Sequence, residues 1–323
     1  MADANIPGLA IAMVSGQEIV WDAAFGVANS ATGMPVTTET VFEAASLTKP
    51  VVAYVTLKLV ERGELDLDTP LWDLLPYPRL EGDQRSRAIT TRHVLSHTTG
   101  LPNWDDGEIE MLRAPGEQWG YSGEGFVYLQ RVLERLTGAT LAELVDREAF
   151  LPLGMTHSSL VWRPDYDSVA ATGHDPEGQP VDKTKPTEAN AAASLHTTAA
   201  DYARFLGAVL RGEGLQARTV VEMLTPASQV EGRGPPEHAR FLQWGLGWGL
   251  QNGDISTSIW HWGDNGEFRC FVIGYPSQGR GLVYFTNSQN GLGIAEDIVA
   301  DYFIDTHHSI RWLDYPRWDA PGR

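Results

Sequence analysis

The chain opens on strand-like patterning. Residues 8–28, GLAIAMVSGQEIVWDAAFGVA, place β-branched and aromatic side chains near alternation around Ser15-Gly16-Gln17, which predicts two strands joined by a turn. From Leu47 the period lengthens. Val51, Val55 and Leu59, flanked by Val52 and Leu57, follow the 3.6-residue spacing of a buried helix closed by Arg62-Gly63. Pro50 falls in the first turn of that helix, where a missing N–H costs little.

A loop-rich middle follows (LDLDTPLWDLLPYPR, then ITTRHVLSHTTGLP), and the pattern then predicts three further helices. The first is the second half of PGEQWGYSGEGFVYLQRVLERLTG, closed by Gly138, and the next is TLAELVDREAF. The third is TAADYARFLGAVLRG, with Thr197 or Thr198 as N-cap. Past the polar stretch EGRGPPEHAR the chain turns β-rich in WGLGWGLQ, SIWHWGD, RCFVIGYP and GLVYFTN, and GIAEDIVADYFIDTHH reads as a closing helix. Strands at both ends, helices between them and short late connections predict an α/β (α+β) fold with one antiparallel sheet built from both chain ends. The helical section is then a mainly helical lobe at about 76–214, and the sheet lobe takes about 1–75 and 215–323.

Composition narrows the function classes. With 323 residues and 42% hydrophobic content the chain can bury a sizeable core as a single unit. A formal charge of −18 disfavours nucleic acid and anionic membrane as partners. The one cysteine, Cys270, rules out an intramolecular disulfide, and MADANIPGLAIAMVSG shows no leader pattern. A cytoplasmic location is expected from these features, or a periplasmic one if a leader was removed.

Candidate chemistry begins with Ser46-Leu47-Thr48-Lys49 at the helix start. A hydroxyl there sits near outward-pointing N–H groups, and a lysine three residues on shares its face. Desolvation by the apolar helix lining pushes that lysine toward the neutral form a serine nucleophile needs beside it. The plainer alternative is an N-cap serine followed by a solvated lysine. Two later stretches bear on the choice: Tyr121-Ser122-Gly123 in a Gly-rich turn, and His261-Trp262-Gly263 at the end of a strand. Taken singly, each also reads as an ordinary turn tyrosine or strand-end histidine.

In order and spacing the three motifs resemble the serine β-lactamase and penicillin-binding superfamily. FEAASLTKP, RHVLSHTTGLP, PGEQWGYSGEGFVYLQRVLERLTG, PLGMTHSS and TAADYARFL are similar to its surrounding segments, so the resemblance runs from about Gly8 to Ala300. Within the superfamily the chain looks most like the class C branch, with its D-Ala-D-Ala peptidase, D-aminopeptidase and carboxylesterase relatives. The resemblance implies a β-lactamase/transpeptidase-like fold with the site between the lobes. It implies Ser46 as acyl-accepting nucleophile, Lys49 as its proton partner and Tyr121 as general base and then acid. It gives His261 the place of a lysine and makes the N–H groups of Ser46 and Asp264 the oxyanion hole.

Two departures weigh on substrate choice. Tyr-x-Asn is here Tyr121-Ser122-Gly123, and Lys-Thr-Gly is His261-Trp262-Gly263, which removes an amide and a permanent cation that β-lactams use. Asn103, Trp104, Ser122, Gly123, Trp262 and Gly263 are the expected substrate contacts, with Glu124 as a further candidate. Trp104, Trp119, Trp244, Trp248 and Trp262 suggest an apolar acyl pocket, or else core packing. The expected reaction is hydrolysis of a small carboxylic ester through a Ser46 acyl-enzyme. A D-amino-acid amide or peptide ranks second and a weakly turned-over β-lactam third; a stalled penicillin-binding module is the non-enzyme alternative.

No cofactor or metal is expected. His93 and His97 have i,i+4 spacing without the glutamate of a zinc motif, His97 reads as a backbone cap, and His307-His308 read as a solvated pair. GYSGEG resembles a nucleophile elbow at Ser122, but Glu124 stands where the second glycine belongs.

Overall fold

The computed structural model describes residues 1–16, 18–232 and 234–320. Its centre is a nine-stranded antiparallel sheet in the order β3-β2-β1-β11-β10-β9-β8-β7-β6. The strands are β1 (Gly8–Ser15), β2 (Glu18–Asn29), β3 (Met34–Pro35), β6 (Ser228–Gln229), β7 (Leu242–Trp244), β8 (Gly249–Asn252), β9 (Thr257–Asp264), β10 (Arg269–Tyr275) and β11 (Arg280–Thr286). β4 (Phe42–Ala45) and β5 (Leu195–Thr197) form a separate antiparallel pair. The two chain ends meet where β1 pairs with β11, in a register from Leu9 opposite Thr286 to Ser15 opposite Arg280. The predicted turn after β1 includes Gln17, which lies outside the described residues.

Both faces of the sheet are covered, so β1 is apolar on both. Ala10, Ala12 and Val14 face one core with Val283, Phe285, Phe205 and Leu206, while Leu9, Ile11 and Met13 face another with Phe271, Tyr284, Val299 and Trp312. Small alanines on the first face let α3 (Ala199–Arg211) lie close along β1 and β11. That helix falls inside the segment expected as the helical lobe. Its N-cap is Thr198, whose hydroxyl accepts the Asp201 N–H at 3.1 Å.

Helix α1 (Thr48–Glu61) is enclosed rather than amphipathic. Every side chain from Thr48 to Leu57 is buried, which is what a helix apolar on all sides requires. α2 (Gly123–Thr137) starts at an N-cap, Ser122, and ends at Gly138 in the left-handed conformation. The second middle helix is shorter than its pattern suggests: Leu141–Val145 is α-helical and Asp146–Phe150 continues as a wider π turn.

Two late elements depart from the sequence reading. The β-rich WGLGWGLQ resolves into the end of β7 and most of β8 with a loop between them, because Gly247 adopts φ +88° and sends its N–H to Leu95 O at 2.8 Å. There it packs on Ala53 of α1, where a Cβ would lie 2.2 Å from the alanine Cβ. The closing helix stops early, as α4 (Ala295–Tyr302), followed by a separate α5 (His308–Leu313). Asp305 breaks it by accepting the N–H groups of Asp254 at 2.7 Å, Ile255 at 3.2 Å and Thr306 at 2.8 Å. His307 and His308, expected as a solvated pair, are 2% and 6% exposed. His307 Nε2 meets Phe303 O at 3.0 Å and His308 stacks on Phe241. Among the described residues no helix is long and apolar enough to cross a membrane.

The contact that places the site is between β9 and β4. At Gly263 a Cβ would fall 2.4 Å from Cys270 Sγ and 2.6 Å from Ala44 O, so only glycine lets β9 approach the strand leading into Ser46. Gly263→Ala is expected to lower unfolding free energy by about 1–3 kcal/mol through overpacking. Urea titration of both proteins checks this; an unchanged midpoint would mean that the two strands can separate at no cost.

Candidate active site

Ser46 sits in the turn between β4 and α1, half-buried, after a residue in an unfavourable conformation. Ala45 has φ +47°, the left-handed region, at a cost of about 1–2 kcal/mol for a residue with a Cβ. The surroundings hold it there. Thr48 Oγ1 donates to Ala45 O at 2.6 Å and accepts the Leu195 N–H at 3.0 Å, while the Tyr202 hydroxyl donates to Leu47 O at 3.0 Å. Leu47 N–H closes the turn on Ala44 O at 2.9 Å.

Lys49 follows on the first turn of α1 and is fully buried. Its ammonium nitrogen lies 3.1 Å from Ser46 Oγ and 2.9 Å from Ala192 O, and 4.7 Å from the centroid of the Tyr121 ring. Burial pushes its pKa down from 10.5 to about 7. The loop that carries Ala192 is held by Gln130 of α2, whose amide bridges two of its residues. Gln130 Oε1 accepts the Ala191 N–H at 2.9 Å, and its Nε2 donates to Ala189 O at 2.9 Å.

Tyr121 comes from the turn before α2, and its ring is packed among aromatic side chains. Ring centroids lie 4.3 Å away for His97, 4.7 Å for Trp262 and 6.1 Å for both Trp244 and His261. His261, on β9, is fully buried, and its Nδ1 donates to Trp262 O at 2.8 Å. The neutral ring therefore offers Nε2 as an acceptor. Burial, and then the charge of Lys49, depress its pKa to about 3.

Asp264 ends β9. Asn265 N–H donates back to Phe268 O at 3.1 Å, and since N–H groups alternate along a strand, that of Asp264 points away from β10. Gly263 keeps this stretch in contact with Ala44 and Ala45. The Asp264 carboxylate is occupied: it accepts from Gly266 N–H at 2.9 Å and the Tyr315 hydroxyl at 2.6 Å, with Arg269 at 3.2 Å. Asn265 ties Glu43 of β4, at 3.0 Å, to Ala193 O, at 3.3 Å. Burial raises the pKa of Glu43.

Several expected substrate contacts also hold the local backbone. Ser122 is 1% exposed, and its hydroxyl donates to Pro102 O at 2.7 Å and accepts from Gly125 N–H at 3.0 Å, as the N-cap of α2. It is therefore available neither as a nucleophile nor as a substrate donor. Asn103 Oδ1 accepts the Gly123 N–H at 2.9 Å, and Glu124 is buried against Arg79 at 2.7 Å. Trp119, Trp244, Trp248 and Trp262 are core rings, all under 8% exposed. Trp104 differs: it is half exposed and lies over Gly123, beside the turn that carries Tyr121. His93 closes a capping box with Thr90. His97, read from the sequence as a backbone cap, accepts the Ser122 N–H at 3.1 Å, yet it also stands directly behind Tyr121. Among the described residues no cluster of His, Cys, Asp and Glu is arranged to hold a metal ion.

Known proteins share this architecture. The chain is 27% identical to penicillin-binding protein 4 of Amycolatopsis lactamdurans over 98% of its own length and 89% of that protein's. It is 36% identical to esterase EstB of Burkholderia gladioli over 51% of this chain and 49% of the esterase. Among solved structures, the octameric penicillin-binding protein homologue from Pyrococcus abyssi superposes with a TM-score of 0.79 at 24% identity, covering 93% of this chain and 74% of that one. A family model described as Beta-lactamase matches residues 1–301, and the chain belongs to that family, within the serine β-lactamase and penicillin-binding superfamily.

Proposed function

We propose that the protein is a serine hydrolase of small, uncharged carboxylic esters, acting through an acyl-enzyme on Ser46. The observation that carries this is the buried Lys49 amine, hydrogen-bonded to Ser46 Oγ at 3.1 Å and desolvated to a pKa of about 7. A neutral amine there accepts the hydroxyl proton as Ser46 attacks the ester carbon, and the proton passes by way of Tyr121 to the leaving alcohol. The N–H groups of Ser46 and Asp264 are the donors for the oxyanion that forms. Water then attacks the acyl-enzyme with the same groups acting in reverse.

Preference for an uncharged substrate follows from the electrostatics. Where the family resemblance implies a lysine, this chain has His261, held neutral by burial. The nearby guanidinium of Arg269 is spent on Asp264 and on the Tyr315 ring, 4.7 Å from its centroid. Among the described residues, a carboxylate-bearing β-lactam thus finds the one cation paired with Asp264 already committed. The esterase relative supports the same choice. A D-amino-acid amide is the second reading, favoured by similarity to a penicillin-binding protein along almost the whole chain.

Initial rates on p-nitrophenyl butyrate, a D-alanine p-nitroanilide and a chromogenic cephalosporin separate these readings. The ester is expected to be fastest, and Ser46→Ala to lose about 1,000-fold or more in kcat while keeping its circular dichroism spectrum. Turnover of the anilide alone would replace the ester with the amide, and full activity in Ser46→Ala would remove the nucleophile. The pH profile has a definite sign. Because the amine must be neutral, kcat/KM should rise tenfold per unit up to pH about 7 and level off above it. Lys49→Arg, which cannot lose its proton, should abolish that limb together with the activity.

Gln130 offers a milder perturbation. Gln130→Leu keeps the helix face apolar but frees the loop that presents Ala192 O to Lys49, and kcat is expected to fall about 10-fold with little change in KM. Equal kcat in the two proteins would show that the loop holds its position without the amide.

A further inference from the structure

The turn that carries Tyr121 is poorly equipped to hold itself. Its sequence, PGEQWGYSGEG, is rich in glycine, and the tyrosine sits between Gly120 and the N-cap Ser122. Thr98, Pro102 and Asn103 hold its flanks, and His97 holds the two residues on either side of the tyrosine. The backbone carbonyl of His97 accepts the Gly120 N–H at 2.7 Å, and its ring Nδ1 accepts the Ser122 N–H at 3.1 Å. These bonds hold the N–H groups of the residues just before and just after Tyr121, while the imidazole lies against the phenol ring, with centroids 4.3 Å apart.

We infer that His97 is a positioning residue that clamps Tyr121 in its proton-transfer geometry, an inference that rests on the serine-hydrolase reading above. The clamp needs an acceptor at the Nδ1 position and a carbonyl turned toward Gly120, and both depend on the backbone of His97. That backbone is left-handed, φ +53°, a conformation that histidine and asparagine adopt more readily than most residues. It is anchored on the short helix Thr91–Leu95 through His97 N–H to Val94 O at 3.2 Å and Thr98 N–H to His93 O at 2.8 Å. Since Nδ1 accepts, the ring proton lies on Nε2, which is buried and meets no hydrogen-bond partner among the described residues. Burial, and then the nearness of Lys49 and His261, hold the ring neutral, which keeps Nδ1 an acceptor. Phe126 and Trp244 wall the imidazole at 5.5 Å and 5.1 Å, so it has no space to rotate out of register. His97 does not touch the reacting atoms; its effect reaches them through Tyr121.

Two substitutions separate the acceptor from the backbone. Glycine at 97 tolerates the left-handed φ but removes the ring, and asparagine tolerates it while offering an amide oxygen at the Nδ1 position. His97→Gly, His97→Asn, Tyr121→Phe and wild type are compared for kcat and KM on p-nitrophenyl butyrate. The rate at which a fluorophosphonate labels Ser46 is measured alongside, with thermal unfolding followed by circular dichroism. His97→Gly is expected to lose about 100-fold in kcat with KM within about twofold, and to slow phosphonylation in proportion. His97→Asn is expected to recover to within about fivefold of wild type. The inference is overturned if His97→Gly matches wild type, or if folded His97→Asn is as impaired as His97→Gly, since the ring's bulk rather than its acceptor would then matter. Should His97→Gly not fold, His97→Asn decides: near wild type it supports the clamp, and at the level of Tyr121→Phe it removes it. A wild type labelled at Ser46 but inert toward the ester discards the ester reading alone, and the labelling rates still judge His97. An unlabelled wild type overturns both.

Discussion

The structure is organised around one buried amine. Lys49 has no exposed surface, and lowering its pKa from 10.5 to about 7 costs folding on the order of 5 kcal/mol at neutral pH. That cost is full at and below pH 7 and fades as pH rises toward 10.5, because the unfolded chain holds its proton over that range and the folded chain does not. The fold carries it with apolar burial. α1 is enclosed on every side, the β4–β5 pair and α3 fasten the turn before it, and α2 supplies the amide that fixes the carbonyl partner of Lys49. A solvated lysine at the same position would keep its proton at neutral pH and could not take one from a serine.

The second organising feature is the absence of charge around that amine. His97 and His261 are buried beside it and held neutral, and each has its Nδ1 committed to the backbone: His97 accepts from Ser122 N–H and His261 donates to Trp262 O. Opposite commitments of equivalent nitrogens put the ring proton on Nε2 in one histidine and on Nδ1 in the other. Tyr121 therefore lies between rings of fixed and different hydrogen-bond polarity, without a permanent cation in either. A lysine in place of His261 would add charge a few ångströms from Lys49 and depress the amine further.

Much of this was legible in the sequence, for identifiable reasons. The longer strands β1, β2, β9, β10 and β11, with α1, α2 and α3, follow from periodicity and capping, since long apolar faces and Ser/Thr caps are local properties. Ser46, Lys49, Tyr121 and His261 were found through spacing and family resemblance, and the structure brings them into one cluster. What escaped depends on distant partners. The split of β7 from β8 needs Ala53 and Leu95 across the fold, and the early end of α4 needs the loop at Asp254. The backbone bonds of Ser122 and Asn103 likewise could not be read from the sequence, since polar residues beside a motif are ambiguous until their hydrogen-bond partners are known. His97 does cap backbone, as its sequence context suggests, but which N–H it caps and its place against Tyr121, 24 positions along the chain, appear only in the fold.

The aromatic wall shows what the protein gives up for a rigid site. The indole N–H groups of Trp119, Trp244, Trp248 and Trp260 are buried without hydrogen-bond partners among the described residues, and each such group forgoes about 1–3 kcal/mol. Native cores rarely tolerate several together. Here three of the four belong to one cluster with Trp262, Trp312, His97, Tyr121 and His261, in which neighbouring ring centroids lie roughly 4–6.5 Å apart. Edge and tilted contacts at these separations return part of the lost energy, and the burial of large apolar rings returns more. Polar partners for those N–H groups would have brought carbonyls or water against Lys49 and the two histidines, raising the local polarity and restoring the charged forms. Unsatisfied indoles behind the site and a neutral amine within it are thus two consequences of one dry aromatic environment.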